Sequence, residues 1–330
     1  MKALVTGGGG FLGRRIVELL IDEGHEVHFL ARGRYPEVEA LGATGHQVDL
    51  RDAEALRPIL DGVDTVFHVA AKAGYWGDRE SYFSTNLDGT SNLLDAMRAA
   101  GAKRMVFTST PSVIGYAEEV EGITEAPYPE THESFYPASK AAAEKVVLAA
   151  NGEQIATVSL RPHLIIGPGD NNLLPRVVAR AKTGKLVVVG DGQNKVDLTY
   201  IDNAAWAHLD AARALKDHTA PCAGKAYFIS NDEPVVLWDW MNAFLPRVGA
   251  PAVNKSLSHG AARTVGAVME FAYNTLPLKG EPRMTRYLAS ALARSHWYDM
   301  EPAKRDFGYT IRVSMDEATT RTVEWFNRAT

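Results

Sequence analysis

Short apolar runs alternate with amphipathic stretches along the first half of the chain. Residues 2–6 (KALVT), 26–30 (EVHFL), 45–50 (GHQVDL), 64–71 (DTVFHVAA), 103–109 (KRMVFTS) and 155–160 (IATVSL) predict strands. Between them the pattern predicts helices over residues 10–21, 53–60 and 84–100, the last with Leu87, Leu94 and Met97 on one stripe. A strand and a helix in turn imply a parallel sheet covered on both faces. The run 64–71 is apolar enough to be buried on both sides. The fold class expected is α/β: a Rossmann-type doubly wound parallel sheet with a smaller α/β substrate-binding lobe. Residues 1–165, completed by about 196–230, form the nucleotide lobe in this reading, and 166–195 with 231–330 form the second.

Ligands of open parallel sheets sit beyond the carboxyl ends of the strands. Those ends carry Gly7, Arg32, Asp49, Ala70, Ser109 with Thr110, and Arg161 with Pro162. The first is the most telling: Thr6-Gly7-Gly8-Gly9-Gly10-Phe11-Leu12-Gly13 joins an apolar strand to a helix. Glycines at 7, 10 and 13 permit a tight turn, close approach of backbone to phosphate and close helix-on-strand packing. The helix start leaves free N–H groups for an anion. The second strand ends in Ala31-Arg32-Gly33-Arg34, with no carboxylate to bond the ribose hydroxyls. A guanidinium there grips a 2′-phosphate instead, so NADP(H) is the expected cofactor.

Much farther along, Tyr136 and Lys140 stand four apart at the start of a helix running through Val147. That spacing puts both on one face. A free phenol, with a pKa of about 10, is a poor acid or base at neutral pH. An ammonium one turn away favours the phenolate and is expected to lower it. Tyr136 then moves a proton to or from an alkoxide as hydride is transferred. A third hydroxyl is expected to hold the substrate oxygen: Thr110, with Ser109 and Ser112 as alternatives.

Bulk properties agree with an enzyme of this kind. A chain of 330 residues can bury a large core. A net charge of −5 excludes long-range attraction to nucleic acid. The single cysteine, Cys222, excludes an internal disulfide and a multi-cysteine metal site, in keeping with a reducing, cytoplasmic setting. The first strand begins at residue 2, so no signal peptide is expected. No apolar stretch reaches membrane-spanning length without a charge, and no metal-ligand spacing unites the histidines with acidic residues.

Together these motifs resemble the extended short-chain dehydrogenase/reductases, over nearly the whole length. The glycine turn matches that family's nucleotide signature, Tyr136 with Lys140 its catalytic pair, and FTSTPSV (107–113) the stretch that carries its catalytic Ser/Thr, here Thr110. The resemblance implies a cofactor lining of Gly7, Gly9, Gly10, Phe11, Leu12, Gly13, Arg32, Arg34, Asp49, Leu50, Ala70, Ala71, Lys72, Asn86, Thr108, Ser109, Tyr136, Lys140, Pro162, Leu164 and Ile165. Plainer readings of three of these are a turn former (Asp49), a helix cap (Asn86) and a surface charge (Lys72). In the second half, LRPHLIIGPGDNN (160–172), VDLTYIDN (196–203) and GKAYFIS (224–230) resemble the branch related to 3β-hydroxysteroid dehydrogenases. LWDW (237–240) and SHWY (295–298) add a similarity to bacterial reductases of long-chain olefin biosynthesis within that branch.

The implied reaction is reduction of a 2-alkyl-3-oxoalkanoate to the 2-alkyl-3-hydroxyalkanoate. Oxidation of a 3β-hydroxysteroid or sterol-4-carboxylate is the alternative. A nucleotide-sugar epimerase or dehydratase, or a non-catalytic NADP-binding regulator, would be rivals from other classes. The expected partners are an apolar, lipid-like small molecule, a second copy of the chain in a homodimer, and enzymes of a lipid pathway. Asp202 and Asn203 read as N-caps of a helix over 204–215, and His68, His163 and His208 as packing residues. Segment 261–278 is mostly apolar yet holds Arg263 and Glu270. It reads either as a packed helix of the small lobe or as a lid over an apolar pocket that touches a membrane surface.

Overall fold

The computed structural model of the protein describes residues 1–329. Seven parallel strands make the main sheet: β1 (Lys2–Thr6), β2 (Glu26–Ala31), β3 (Thr44–Gln47), β4 (Thr65–His68), β5 (Arg104–Thr108), β6 (Ala156–Pro162) and β7 (Ala226–Ile229). Their spatial order is β7-β6-β5-β4-β1-β2-β3, the doubly wound order with its reversal point beside β1. Every residue of β4 and β6 is buried, as a strand covered by helices on both faces must be. One face packs through Ile16, Leu20, Phe67, Val158 and Leu209, the other through Leu4, Val66, Leu94, Met105 and Val147.

Helix α1 (Phe11–Asp22) and helix α4 (Ile201–Ala214) lie against each other on the first face. Buried Ala204, Ala205, Ala207, Ala211 and Ala212 give α4 a run of small side chains, which lets it pack closely. Helix α2 (Gly89–Ala100) and helix α3 (Phe135–Ala149) cover the second face. Helix α2 ends at Gly101, whose φ of +78° makes the left-handed turn that stops it.

The helix expected over 84–100 starts earlier and is interrupted. Arg79–Phe83 is α-helical, Ser84–Asp88 is a π turn, and α2 follows. The extra residue of the π turn rotates the chain, so Asn86 is buried while Leu87 is only partly so.

The second lobe has its own core, around Leu174, Val196, Trp238, Phe244 and Leu245. Its four-stranded sheet joins Val235–Val236, Lys195–Val196, His296–Tyr298 and Val120–Ile123. Helix α5 (His259–Thr275) packs on α6 (Arg286–Ala293) at its outer side. The two lobes are interleaved beyond the expected exchange of 166–195 and 196–230. Strand Val120–Ile123 joins the second sheet, whereas Met300, Phe307 and Tyr309 return to the nucleotide core. Aromatic contact drives that return: Phe307 meets Tyr227 of β7 edge-on at 5.2 Å, and Tyr298 stacks on Phe228 at 4.0 Å.

Among the described residues no helix is long and apolar enough to cross a membrane.

Candidate active site

The glycine turn owes its sequence to close contacts. Gly7 has φ +71°, and a Cβ there would lie 3.0 Å from the backbone of Ala70. At Gly13 a Cβ would come within 2.2 Å of the Gly7 carbonyl oxygen. Any side chain at 13 would therefore push α1 off β1. Gly10 is the N-cap of α1 and supplies no side-chain cap, so the N–H groups of the first turn are left to a ligand.

A groove of about 700 Å³ runs from this turn over the ends of β2, β3 and β4. Gly7, Gly10, Phe11, Leu12, Gly13, Arg32, Asp49, Leu50, Ala70 and Ala71 all line it, and so do Tyr35, Val48, Val69 and Thr85, which sequence reasoning missed. Tyr35 had no motif to mark it: its ring packs directly against Gly9, a contact visible only once the chain is folded. Arg34 turns away, its Nε donating to Gln47 Oε1 at 3.3 Å. Asp49 is paired bidentately with Arg51 at 3.0 and 2.7 Å. Those bonds from Arg51 hold its carboxyl down at about 2, with the nearby Arg32 charge adding to the effect. At the neighbouring end of β5, the Ser109 hydroxyl is buried with no partner among the described residues. Glycine cradle, open helix start, exposed Arg32 and an unused hydroxyl together fit a nicotinamide dinucleotide.

Tyr136 and Lys140 stand one turn apart on α3 at the end of β5. Lys140 is 2 % exposed; its Nζ donates to the Thr108 carbonyl at 2.7 Å and lies 4.0 Å above the Phe107 ring. Burial lowers its pKa to about 7, partly offset by the Glu144 carboxylate one turn on. Burial also raises the Tyr136 phenol to about 12, while a hydrogen bond with Thr110 pulls it back. Desolvation therefore outweighs the lowering expected of a neighbouring ammonium, and the phenol keeps its proton. Of the three candidate hydroxyls, Thr110 is the one that meets Tyr136. Ser112 lies behind it, 3.0 Å from the Thr110 oxygen.

The base of α3 is held rigidly. Glu144, fully buried, accepts hydrogen bonds from Arg161 (2.6 Å), Tyr128 (2.7 Å) and Ser159 (2.7 Å). Removing one partner of such a buried pair costs about 3–5 kcal/mol, so the pair anchors α3 to β6. Asn86, carried inward by the π turn, bonds both backbone groups of Lys72 at 2.7 and 3.0 Å and donates to Ser139 at 2.9 Å. It ties the β4 loop to α3 rather than capping a helix. Lys72 bonds Ser81 and sits 4.8 Å above the Tyr82 ring, itself 6.4 Å from that of Tyr136.

Pro162, Leu164 and Ile165 lie away from the groove lining. Pro162 closes β6, Ile165 pairs with Thr199, and Leu164 faces a second cavity of about 260 Å³. This cavity is apolar, with Ile166, Leu173, Val177, Leu198, Trp240 and Leu292 in its wall. Tyr116, Tyr287 and His163 stand on the side toward Tyr136. None of the tyrosines carried a sequence signal, because their chain neighbours belong to unrelated elements.

The three histidines read as packing residues are hydrogen-bonded within the fold. His68 bonds Thr6 and Thr90, His208 bonds Thr108 and the Ala204 carbonyl, and His163 bonds His296 at 2.6 Å. The expected N-caps are not caps. Helix α4 starts at Ile201 behind Tyr200, which places Asp202 and Asn203 inside its first turn. Asp202 pairs with Arg15 of α1 at 2.6 Å, and buried Asn203 accepts from the N–H groups of Arg312 and Val313. Tertiary partners explain both better than local capping.

In segment 261–278, Ala262, Gly266 and Glu270 face α6, and Glu270 accepts from the Arg286 side chain at 2.7 Å. Arg263 pairs with Glu133 at 2.8 Å. The other side shows Val265, Val268, Phe271, Leu276 and Leu278 to solvent, with Phe271 70 % exposed. The segment is thus packed along one side and open and apolar along the other.

Comparison with known proteins bears on this geometry. A family model, the 3-beta hydroxysteroid dehydrogenase/isomerase family, matches residues 4–258. The 2-alkyl-3-oxoalkanoate reductase of Stenotrophomonas maltophilia is 51% identical over 324 residues, covering 97% of this chain and 98% of that one. The mouse sterol-4-alpha-carboxylate 3-dehydrogenase, decarboxylating, is 32% identical over 99% of this chain and 91% of its own length. Among solved structures, the UDP-glucuronic acid 4-epimerase from Bacillus cereus in complex with NAD superposes with a TM-score of 0.75 at 22% identity, covering 100% of this chain and 99% of that chain. That last likeness establishes the extended Rossmann-type fold. On the family match and the identity over nearly its full length, the chain belongs to the 3-beta hydroxysteroid dehydrogenase/isomerase family.

Proposed function

We propose that this oxidoreductase reduces the 3-oxo group of a 2-alkyl-3-oxoalkanoate, using NADPH, to give the 3-hydroxy acid. One observation carries the reading: Tyr136, hydrogen-bonded to Thr110 past the end of β5, has near it both a groove suited to a dinucleotide and the tyrosines that line a cavity walled by aliphatic side chains. The half-identical bacterial relative bears the name of this reaction. The sterol dehydrogenases, at 32% identity, support oxidation of a 3-hydroxy acid less well.

The glycine turn and Arg32 would hold NADPH in the groove, where it would supply a hydride for the carbonyl carbon. Tyr136 gives its phenolic proton to the oxygen as the C=O π bond breaks, and Thr110 holds that oxygen by a hydrogen bond. The phenolate left behind is stabilised by Lys140, because its negative charge raises the hold of Lys140 on its proton above the value of about 7 set by burial. Arg32 supplies the cation for a 2′-phosphate and so favours NADP(H) over NAD(H).

The deciding assay follows NADPH consumption with a long-chain 2-alkyl-3-oxoalkanoate, and NADP+ reduction with a 3β-hydroxysteroid beside it. Turnover of the fatty acid alone is expected. Turnover of the steroid alone would move the protein to the sterol reaction, and silence on both would refute the reading.

A further inference from the structure

A 2-alkyl-3-oxo acid brings a second polar group into the site: its carboxylate, one carbon away from the carbonyl to be reduced. The proposed reaction therefore requires somewhere to put an anion beside Tyr136, in a cavity otherwise lined by hydrocarbon. Desolvating a carboxylate without hydrogen-bond donors is prohibitive.

The polar groups of that wall are not equally available. His163 and His296 are spent on each other at 2.6 Å, and His296 Nε2 is spent on the Ala291 carbonyl at 2.8 Å. Burial holds both rings neutral. Arg176 is paired with Glu281, and Arg180 reaches Tyr75 at the cavity's rim. What adjoins Tyr136 is a row of hydroxyls. Thr110 meets Tyr136, Ser112 lies 3.0 Å from Thr110, and the Tyr287 hydroxyl meets both Ser112 and Tyr116. The rings of Tyr116 and Tyr287 are 5.7 Å apart, and both line the apolar cavity. Their phenols are held protonated by burial, so each has a proton to donate.

We propose that Tyr287, backed by Ser112 and Tyr116, is the carboxylate-binding residue of this enzyme and selects 3-oxo acids over plain ketones. The inference rests on the reaction proposed above and adds a consequence. A 3-oxo acid loses CO2 when its C1–C2 bond lies parallel to the carbonyl π system. The electron pair of that bond then flows toward the C3 oxygen, giving an enolate that takes up a proton. A carboxylate drawn to the same row of hydroxyls as the keto oxygen lies near the carbonyl plane, where this flow is blocked. The row thus binds the substrate and protects it from decarboxylation before hydride arrives.

The test compares wild type with Tyr287→Phe on a 2-alkyl-3-oxoalkanoate and on the ketone formed when that acid loses CO2. Ketone released per NADPH oxidised and the Kd of the 3-hydroxy acid product are measured alongside. The preference for acid over ketone, as a ratio of kcat/KM, is expected to fall about tenfold or more in the variant, the loss typical of a hydrogen bond to a charged group. Product affinity falls with it, and more ketone escapes per turnover. Ser112→Ala, with an unchanged melting temperature, should shift the ratio the same way. A ratio left unchanged in both variants would overturn the proposal, as would a larger fall in Arg180→Gln, the competing anchor at the rim. A wild type that reduces neither compound would instead remove the reaction on which the proposal stands.

Discussion

Oxidation of a secondary alcohol by NADP+ releases one proton. The pH profiles of kcat/KM for the two directions must therefore diverge by about a decade per pH unit, whatever the enzyme does. Which direction carries the slope depends on the acid that exchanges the proton. Tyr136 sits at about 12 because its ring is desolvated, with only the Thr110 hydrogen bond pulling it down. At pH 8 that leaves on the order of one phenol in ten thousand ionised. Reduction, which starts from the phenol, should be flat between about pH 7 and pH 10. Oxidation, which starts from the phenolate, should climb about tenfold per unit across that range. Steady-state rates in both directions, with the same substrate pair in overlapping buffers, read this directly. Tyr136→Phe should cost about 10²–10⁴-fold in both directions. A reductive rate that falls tenfold per unit while oxidation stays flat would mean a phenolate resting state, and burial would not be what governs the residue.

Three further outcomes follow from the geometry. Removing the Arg32 guanidinium (Arg32→Ala) should weaken NADPH binding by about 10- to 100-fold, the value of a charge-assisted bond to phosphate, and leave NADH binding nearly unchanged; calorimetric titrations showing equal losses would count against the cofactor preference. Asp197, wholly buried and holding its proton up to about pH 7 because of desolvation, has a carboxyl that in an unfolded chain ionises near 3.8. The folded form binds the extra proton between those values, so stability should fall as pH rises from about 4 to about 7, by about 1.4 kcal/mol per unit. Asp197→Asn copies the neutral form, so its melting temperature should exceed wild type above pH 7 and converge with it toward pH 4; a constant gap would refute the assignment. On α5, Val268 is 64 % and Phe271 70 % exposed, and full burial of such a side chain is worth about 1.5–3 kcal/mol. Replacing both with glutamate should lower co-sedimentation with phospholipid vesicles at least about tenfold, whereas no vesicle binding by wild type would leave the row without a lipid role.

The local chemistry of the strands and turns was legible from residue order alone. A parallel strand ending in glycines, with a helix behind it, has few other physical uses, and Tyr136 with Lys140 shares a helix face by spacing. Hence the doubly wound sheet, the groove beside Gly7 and Gly13, and the shared helix face of Tyr136 and Lys140 could all be read from residue order. Position in the fold decided the rest. Asp202 and Asn203 look like caps until Arg15, Arg312 and Val313 reach them from other elements. Asn86 faces inward because a π turn adds a residue where periodicity predicts regular helix. The basicity of Tyr136 and Lys140 is set by how much water is excluded around them, which depends on every element packed above the site. Tyr116 and Tyr287 come from distant segments, and only chain folding turns two unremarkable tyrosines into one row of donors. Sequence order determines which bonds a residue can make with its neighbours in the chain; desolvation and long-range contact, the two terms that tune this site, arise only when the lobes close around it.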